Sequence, residues 1–398
     1  MTGPGRAAAG ARRRATLAVS AVAAATVAAC SSATSTSSAP AHPSSSGSSS
    51  VSSSPTPATL QDFIPIAEKF VEDHRGLKFT SPVKVTFLDD TAFKARLDSK
   101  PTAQDQADIE KAAKELRALG LVQGNVDLTK LTQSLLTAAV VGFYDYKTKE
   151  LVVRGVKPTP YTREVLVHEL THAVQDQHFG LDRPDLSKSN DERSTAFTSV
   201  FEGDAVRIQD EYRNSLPVDE RAQAQNEASS GQIPADIPRV LIELLTFPYV
   251  AGPSFDTTVV YLRGQQGLDD ALRKPPTTTA QLLHPERYFS GDAGQTVAKP
   301  PADGAAFDDG ILGEQGLDLL LERAVEAGVL SSNDSRTASA AWAGDHYVAW
   351  DRGSVSCLRV SFAGPDQSAA TTLATALRRY AATRSGVNVS GLTLTSCA

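Results

Sequence analysis

Thr159-Pro160-Tyr161-Thr162-Arg163-Glu164-Val165-Leu166-Val167-His168-Glu169-Leu170-Thr171-His172-Ala173-Val174-Gln175-Asp176-Gln177-His178-Phe179-Gly180 reads as one helix with both ends marked. Thr159 suits the N-cap and Pro160 the first helical position. Val165, Leu166, Leu170, Ala173 and Val174 recur at helical spacing, and Gly180 marks the stop. Within it, His168-Glu169-Leu170-Thr171-His172 is an H-E-x-x-H motif. Residues four apart on a helix lie about 40° apart around the axis and one turn along it, so two imidazoles can meet one zinc ion from the same face. Glu169, beside them, can take a proton from an attacking water and pass it to a leaving amine.

A catalytic zinc takes three protein ligands and keeps one position open. Two residues are candidates for the third. His178 stands six residues after His172, the metzincin spacing, but that pattern needs glycine where this chain has Gln175, which continues the helix. On a continuous helix His178 lies about 9 Å further along and on another face. Glu202, in Phe201-Glu202-Gly203-Asp204-Ala205 on the next predicted helix, is the better choice. A glutamate on a second helix packed across the first is the gluzincin arrangement, and small Gly203 and Ala205 would allow close approach. Asp176 or Asp204 could orient a ligand imidazole from behind.

Around this helix the patterning predicts an α+β body. Helices are expected over Phe63–Arg75, Ala103–Leu119, Leu128–Thr137, Arg193–Tyr212, Val240–Phe247 and Leu312–Val329. Val83, Val85 and Phe87 alternate as a strand, and Val140–Tyr146 with Leu151–Val153 reads as a hairpin. The tail predicts strands at Tyr347–Trp350, Ser354–Phe362 and Leu392–Leu394, and a helix over Ala369–Tyr380. Thr258–Leu272 gives no clear pattern. The expected divisions are 1–29, 30–58, a catalytic body over 59–310, and an α+β C-terminal region over 311–398 that is separate or integral to the same body.

The net charge of -7 and the 41% hydrophobic content describe a soluble globular chain. Residues 1–29 hold Arg6, Arg12, Arg13 and Arg14 and no acid, so the remainder is more acidic still and offers no electrostatic footprint for nucleic acid. Arg12-Arg13-Arg14 followed by small apolar residues to Ala29 reads as an export signal, too short to span a membrane. Its end, Val27-Ala28-Ala29-Cys30, resembles the lipobox of bacterial lipoproteins, which implies cleavage before Cys30 and lipidation of it. The arginines also loosely resemble a twin-arginine export signal, and the export route stays open. Residues 31–58, rich in Ser, Thr, Pro and Ala, read as a flexible tether of roughly 30 Å. The expected location is the outer face of a bacterial cytoplasmic membrane, held by lipid alone. With Cys30 acylated, Cys357 and Cys397 remain as an even pair in an oxidising compartment and are expected to form a disulfide.

His168–Phe179, the Glu202-Gly203-Asp204-Ala205 step, Leu283-His284-Pro285-Glu286-Arg287-Tyr288 and the Gly142-Phe143-Tyr144-Asp145 hairpin together resemble a bacterial family of H-E-x-x-H zinc peptidases that includes mycobacterial lipoprotein peptidases. The matches are scattered over roughly residues 60 to 350. The resemblance implies a zincin-like fold, with a small mixed sheet beside the active-site helix. It implies His168, His172 and Glu202 on one Zn2+, Glu169 as base, and a peptide or protein as substrate. Gln265-Gln266-Gly267 departs from the expected Gly-Gly-aromatic step, which leaves that part of the substrate side in doubt. Gluzincins often stabilise the oxyanion with a His or Tyr, and His284 or Tyr288 could serve. An alternative is a non-catalytic zinc-binding envelope lipoprotein on a peptidase-like fold.

Overall fold

A computed structural model describes residues 57–98, 101–187, 192–230 and 233–398. The predicted export signal, Cys30 and nearly all of the tether lie outside the described residues. The described chain is α+β. In order it forms α1 (Leu60–Arg75), β1 (Lys84–Leu88), α2 (Asp90–Leu97), α3 (Ala103–Ala118), α4 (Leu128–Ala139), β2 (Gly142–Asp145) and β3 (Glu150–Arg154). There follow α5 (Pro160–Phe179), α6 (Pro184–Ser187), α7 (Arg193–Ser215), α8 (Val218–Ser229), α9 (Arg239–Arg273), α10 (Thr279–Leu283) and α11 (Pro285–Ser290). The C-terminal part adds β4 (Ala306–Gly310), α12 (Gly313–Glu326), α13 (Ser332–Ala340), β5 (Gly344–Arg352), β6 (Val355–Ala363), α14 (Gln367–Ala381), β7 (Val387–Ser390) and β8 (Thr393–Cys397). Among the described residues no helix is long and apolar enough to cross a membrane.

The H-E-x-x-H helix, α5, lies at the centre of its part of the body. Thr159 caps its first turn by accepting from the Thr162 N–H, Pro160 opens it, and Gly180 follows it with a positive φ of 69°. Residues from Pro160 to Asp176 are buried nearly all the way round, polar side chains included. Only a core helix has that profile, because a surface helix keeps one polar stripe in water. Leu166, Val167, Leu170, Ala173 and Val174 pack with Leu60, Phe63, Ala67 and Val71 of α1, Leu151 and Val153 of β3, and Ile208 and Tyr212 of α7. The first helix is therefore part of the core beneath α5. Beside it stands a mixed sheet in the order β1-β3-β2, with β1 parallel to β3 and β2 antiparallel to it. β2 is thus an edge strand.

The C-terminal sheet runs β4-β5-β6-β8-β7, antiparallel throughout. Its inner residues Tyr347, Leu358, Val360 and Leu394 share one core with Ile109 of α3, Leu135 of α4, Val240 and Leu241 of α9, and α12 and α14. Cys357 and Cys397 face each other across β6 and β8 and are joined, as expected, with S–S 2.09 Å.

Three differences from the sequence reading have physical causes. Pro248 does not end its helix: α9 runs on through Pro248 and Pro253 and breaks helical geometry only at Gly264, whose φ is 68°. A proline costs an intrahelical bond and a clash, and here tertiary contact with α7 outweighs it. Gly203 of α7 meets Gly252 of α9 backbone to backbone, so that a methyl group on either would overlap the other chain segment. The small residue beside Glu202 therefore serves the α7–α9 crossing. Finally, α2, α8 and β7 escaped the pattern because they bury almost nothing: Phe93 in α2, Ala224 in α8, and no residue of β7.

Gly203→Ala should destabilise the protein by about 1–3 kcal/mol or more, since the displaced atoms are backbone rather than a side chain that can turn away. Urea unfolding checks this; an unchanged midpoint would contradict the close crossing.

Candidate metal centre

His168 and His172 leave α5 one turn apart and meet Glu202, which comes from the middle of α7. His168 Nε2 and His172 Nε2 are 3.0 Å apart, and the Glu202 Oε2 atom lies 3.2 Å from the first and 3.1 Å from the second. Among the described residues this is the group of His, Cys, Asp or Glu side chains placed to hold a metal ion. All three are almost wholly buried, at 2%, 6% and 1% exposure.

The other ring nitrogens show which atoms are offered. His168 Nδ1 faces Gln209 Oε1 at 3.0 Å, and His172 Nδ1 faces Gln175 Oε1 at 3.0 Å. An amide oxygen only accepts, so each imidazole donates from Nδ1 and, when neutral, turns a lone pair at Nε2 toward its neighbour. Two such lone pairs and a carboxylate oxygen within 3.2 Å repel one another unless a cation or a proton sits among them. That donor set suits a metal ion bound by nitrogen and oxygen.

The electrostatics follow from the same contacts. Burial works against charge on His172, but the Glu202 carboxylate outweighs it and lifts the imidazole to about 9. Burial likewise opposes ionised Glu202, and the two histidines overcome it, holding the acid at about 2. His168 is lowered, by burial and then by charge on His172, against the pull of Glu202. One proton shared in the triad does in part what a metal ion would do fully.

Glu169, next to His168 on α5, reaches toward β2. Its Oε2 accepts the Tyr144 N–H from the outer edge of β2 at 2.8 Å. Burial pushes this carboxyl up to about 8, with His172 pulling the other way. The base candidate thus lies between the histidines and an edge strand. Tyr249 of α9 completes the surroundings. Its hydroxyl donates to Glu202 Oε1 at 2.8 Å, and its half-buried ring lies nearly parallel to that of His168, with centroids 6.3 Å apart. Phe201 meets His172 edge-on at 5.5 Å.

The remaining sequence candidates lie elsewhere. His178 Nε2 contacts the Lys78 carbonyl at 2.8 Å, one helical face away, as a continuous α5 requires. The structure does not bring His284 or Tyr288 into the triad. His284 Nε2 pairs with Glu314 of α12 at 2.8 Å, and the Tyr288 hydroxyl donates to the Lys274 carbonyl at 2.9 Å. The motif around them forms the seam to the C-terminal region, since Thr279 nearby also bonds Glu192 and the Gln315 N–H. Asp176 accepts from the Tyr144 hydroxyl, Lys149 and the Leu181 N–H, and orients no imidazole. Asp204 reaches His172 only through Gln175. Tyr249 is not among the sequence candidates, because Pro248 predicts the end of the helix over Val240–Phe247, which continues in the structure. Nor is Gln209, whose spacing of seven from Glu202 puts both on one face of α7. Compared with known proteins, the chain matches no protein-family model, no curated protein and no solved structure.

Tyr249→Phe removes one hydrogen bond to Glu202 and should weaken divalent-metal affinity by roughly tenfold, the equivalent of about 1.5 kcal/mol for a bond to a charged group. Affinity should also fall as pH drops below about 9, because the proton on His172 must leave before a metal can bind. Chelator competition at several pH values measures both; a pH-independent affinity would contradict ligation by His172.

Proposed function

We propose that the protein is a zinc-dependent peptidase of gluzincin type, with His168, His172 and Glu202 as metal ligands and Glu169 as general base. The observation that carries this reading is the placement of Glu169. A site that only stored or sensed metal would need the triad alone, yet a buried carboxylate stands beside it, held against an edge strand through the Tyr144 N–H. Zinc held by the triad would supply polarisation of the scissile carbonyl and a more acidic water.

The chain's own residues supply the rest. Burial, which raises Glu169 to about 8, favours its protonated form at neutral pH; the positive charge of a bound zinc ion would favour the carboxylate that accepts a proton and releases it to the departing amine. An extended peptide could add as a strand along β2, which ends its sheet, by displacing Glu169 from the Tyr144 N–H on that edge. Glutamine oxygens behind both imidazoles hold their rings and tautomers fixed. The triad is buried, so a substrate carbonyl reaches it only after side chains move; Tyr249, half-buried across His168 and Glu202, is the group placed to do so. Zincin-like architecture belongs to the same proposal, supported by the order of β2, β3, the H-E-x-x-H helix and the glutamate helix. Lipid anchoring at Cys30 outside the cytoplasmic membrane rests on the sequence of residues 1–58.

The burial of the triad favours a second reading, a non-catalytic zinc-binding envelope lipoprotein in which the metal is structural. Glu169→Gln separates the two. On the peptidase reading, the variant binds zinc as wild type does and loses at least about 100-fold in turnover of a peptide library read by mass spectrometry. Cleavage by the variant at the wild-type rate would overturn the assigned base, and zinc binding with no cleavage by either protein would favour the structural site.

A further inference from the structure

The connection between α7 and α9, the helices that bear Glu202 and Tyr249, contains a helix of its own. After Leu216-Pro217 the chain forms α8, which packs on the first half of α5. Ala224 is the one buried residue of α8. It shares a small apolar cluster with Tyr161 and Val165 of α5, and Val141 and Ala228 pack against that cluster. Ala224 and Ala228 are one turn apart, so the face of α8 turned to α5 is made of methyl groups and the backbone comes close. One turn before Ala224, the Glu220 carboxylate pairs with the nearly buried Arg163 of α5.

These contacts stand at one end of the β2 edge. Val141 immediately precedes β2, and its carbonyl accepts from the Arg154 N–H at 2.8 Å. In an antiparallel pair, successive residues turn their backbone groups alternately to the partner strand and away from it. Val141 faces β3, so Gly142 and Tyr144 face the edge, where Tyr144 directs its N–H to Glu169. A methyl group at Gly142 would lie 3.1 Å from Val165 Cγ1 and 3.7 Å from Glu169 Cγ. The start of β2 therefore runs beside the same stretch of α5 on which α8 is seated.

We propose that α8 closes the trough between α5 and the β2 edge at its Gly142 end, and that the substrates are peptides cut close to one chain end. The inference rests on the peptidase reading above. A peptide added along β2 meets the reacting groups near Tyr144, where Glu169 is held. From Tyr144 back to Val141 is three residues, about 10 Å of strand. A substrate chain that continues past that length runs into α8, which Glu220, Ala224 and Ala228 fix to α5. One end of the substrate therefore lies within about three residues of the bond that is cut. At its other end β2 leads into Lys147, Thr148 and Lys149, which are exposed, and there the substrate chain can continue into solvent. On this geometry α8 acts as a specificity element, and the enzyme trims peptides from an end instead of cutting within long chains.

The test compares the zinc-loaded full chain with a variant carrying Glu220→Gln and Ala224→Gln. The first change removes the ion pair, and the second puts a long side chain where a methyl group is buried, so that α8 lifts from α5. Two substrates are used: a linear peptide several times longer than the closed stretch, and the same peptide joined head to tail into a ring. Mass spectrometry follows the products over time. Wild type should cut the linear peptide within about three residues of one end and leave the ring intact. The variant, with the same zinc content, should cut the ring and the interior bonds at least about tenfold faster than wild type does. Should the variant fail to fold, Glu220→Gln alone takes its place with the same direction of change. Ring or interior cleavage by wild type at the rate of terminal cleavage would overturn the proposal, as would a folded, zinc-loaded variant that keeps the wild-type pattern. Zinc-loaded wild type that cuts neither substrate would instead overturn the peptidase reading.

Discussion

Three lone-pair-bearing atoms, His168 Nε2, His172 Nε2 and Glu202 Oε2, are held within 3.2 Å of one another in a place almost closed to water. Such a cluster is repulsive without positive charge at its centre, and the surrounding structure is arranged to keep it intact. The α5 helix is buried on all sides so that its two histidines cannot turn to solvent. The α7 helix is pressed against α9 through Gly203 and Gly252, which fixes the height of Glu202. Behind each imidazole a glutamine oxygen prevents rotation. A proton on His172 relieves that repulsion in part, and the group could hold a metal ion.

The same packing explains how distant segments come to serve one site. The first helix follows directly on the predicted tether, where a pro-segment or spacer would be a natural guess. It instead buries Leu60, Phe63, Ala67 and Val71 under α5 and delivers Arg75 to Asp204. Two arginines, Arg75 and Arg207, meet three acids, Asp204, Asp256 and Asp269, in that layer. Buried ionic groups of this kind gain little stability over apolar packing. Here Asp204 and the Phe201 carbonyl together hold the nitrogen of the Gln175 amide, whose oxygen faces His172.

The centre of this architecture was legible in the sequence because it is carried by local rules. An N-cap threonine, a first-turn proline, helical periodicity and a terminal glycine define α5, and the motif spacing puts both imidazoles on one face. Glu202 followed from a second helix of suitable length and position. The edge position of β2 was not legible, because the parallel pairing of β1 with β3 depends on contacts far apart in sequence. Nor was Tyr249, since propensity at Pro248 points to a helix end and only the α7 contact reverses it. His284 and Tyr288 show the opposite error. A histidine in a recognisable motif suggested chemistry, and the structure gives it a joint with Glu314 instead.

The most direct test of the central claim is X-ray absorption at the zinc edge on the full chain loaded with one equivalent of zinc. A shell of two imidazole nitrogens with carboxylate and solvent oxygen, at about 2.0–2.2 Å and without sulfur, is the predicted result, and the imidazole signal should collapse in His168→Ala. A sulfur-containing shell, or an unchanged imidazole signal in that variant, would mean that the ion binds elsewhere and that the triad is not the metal centre.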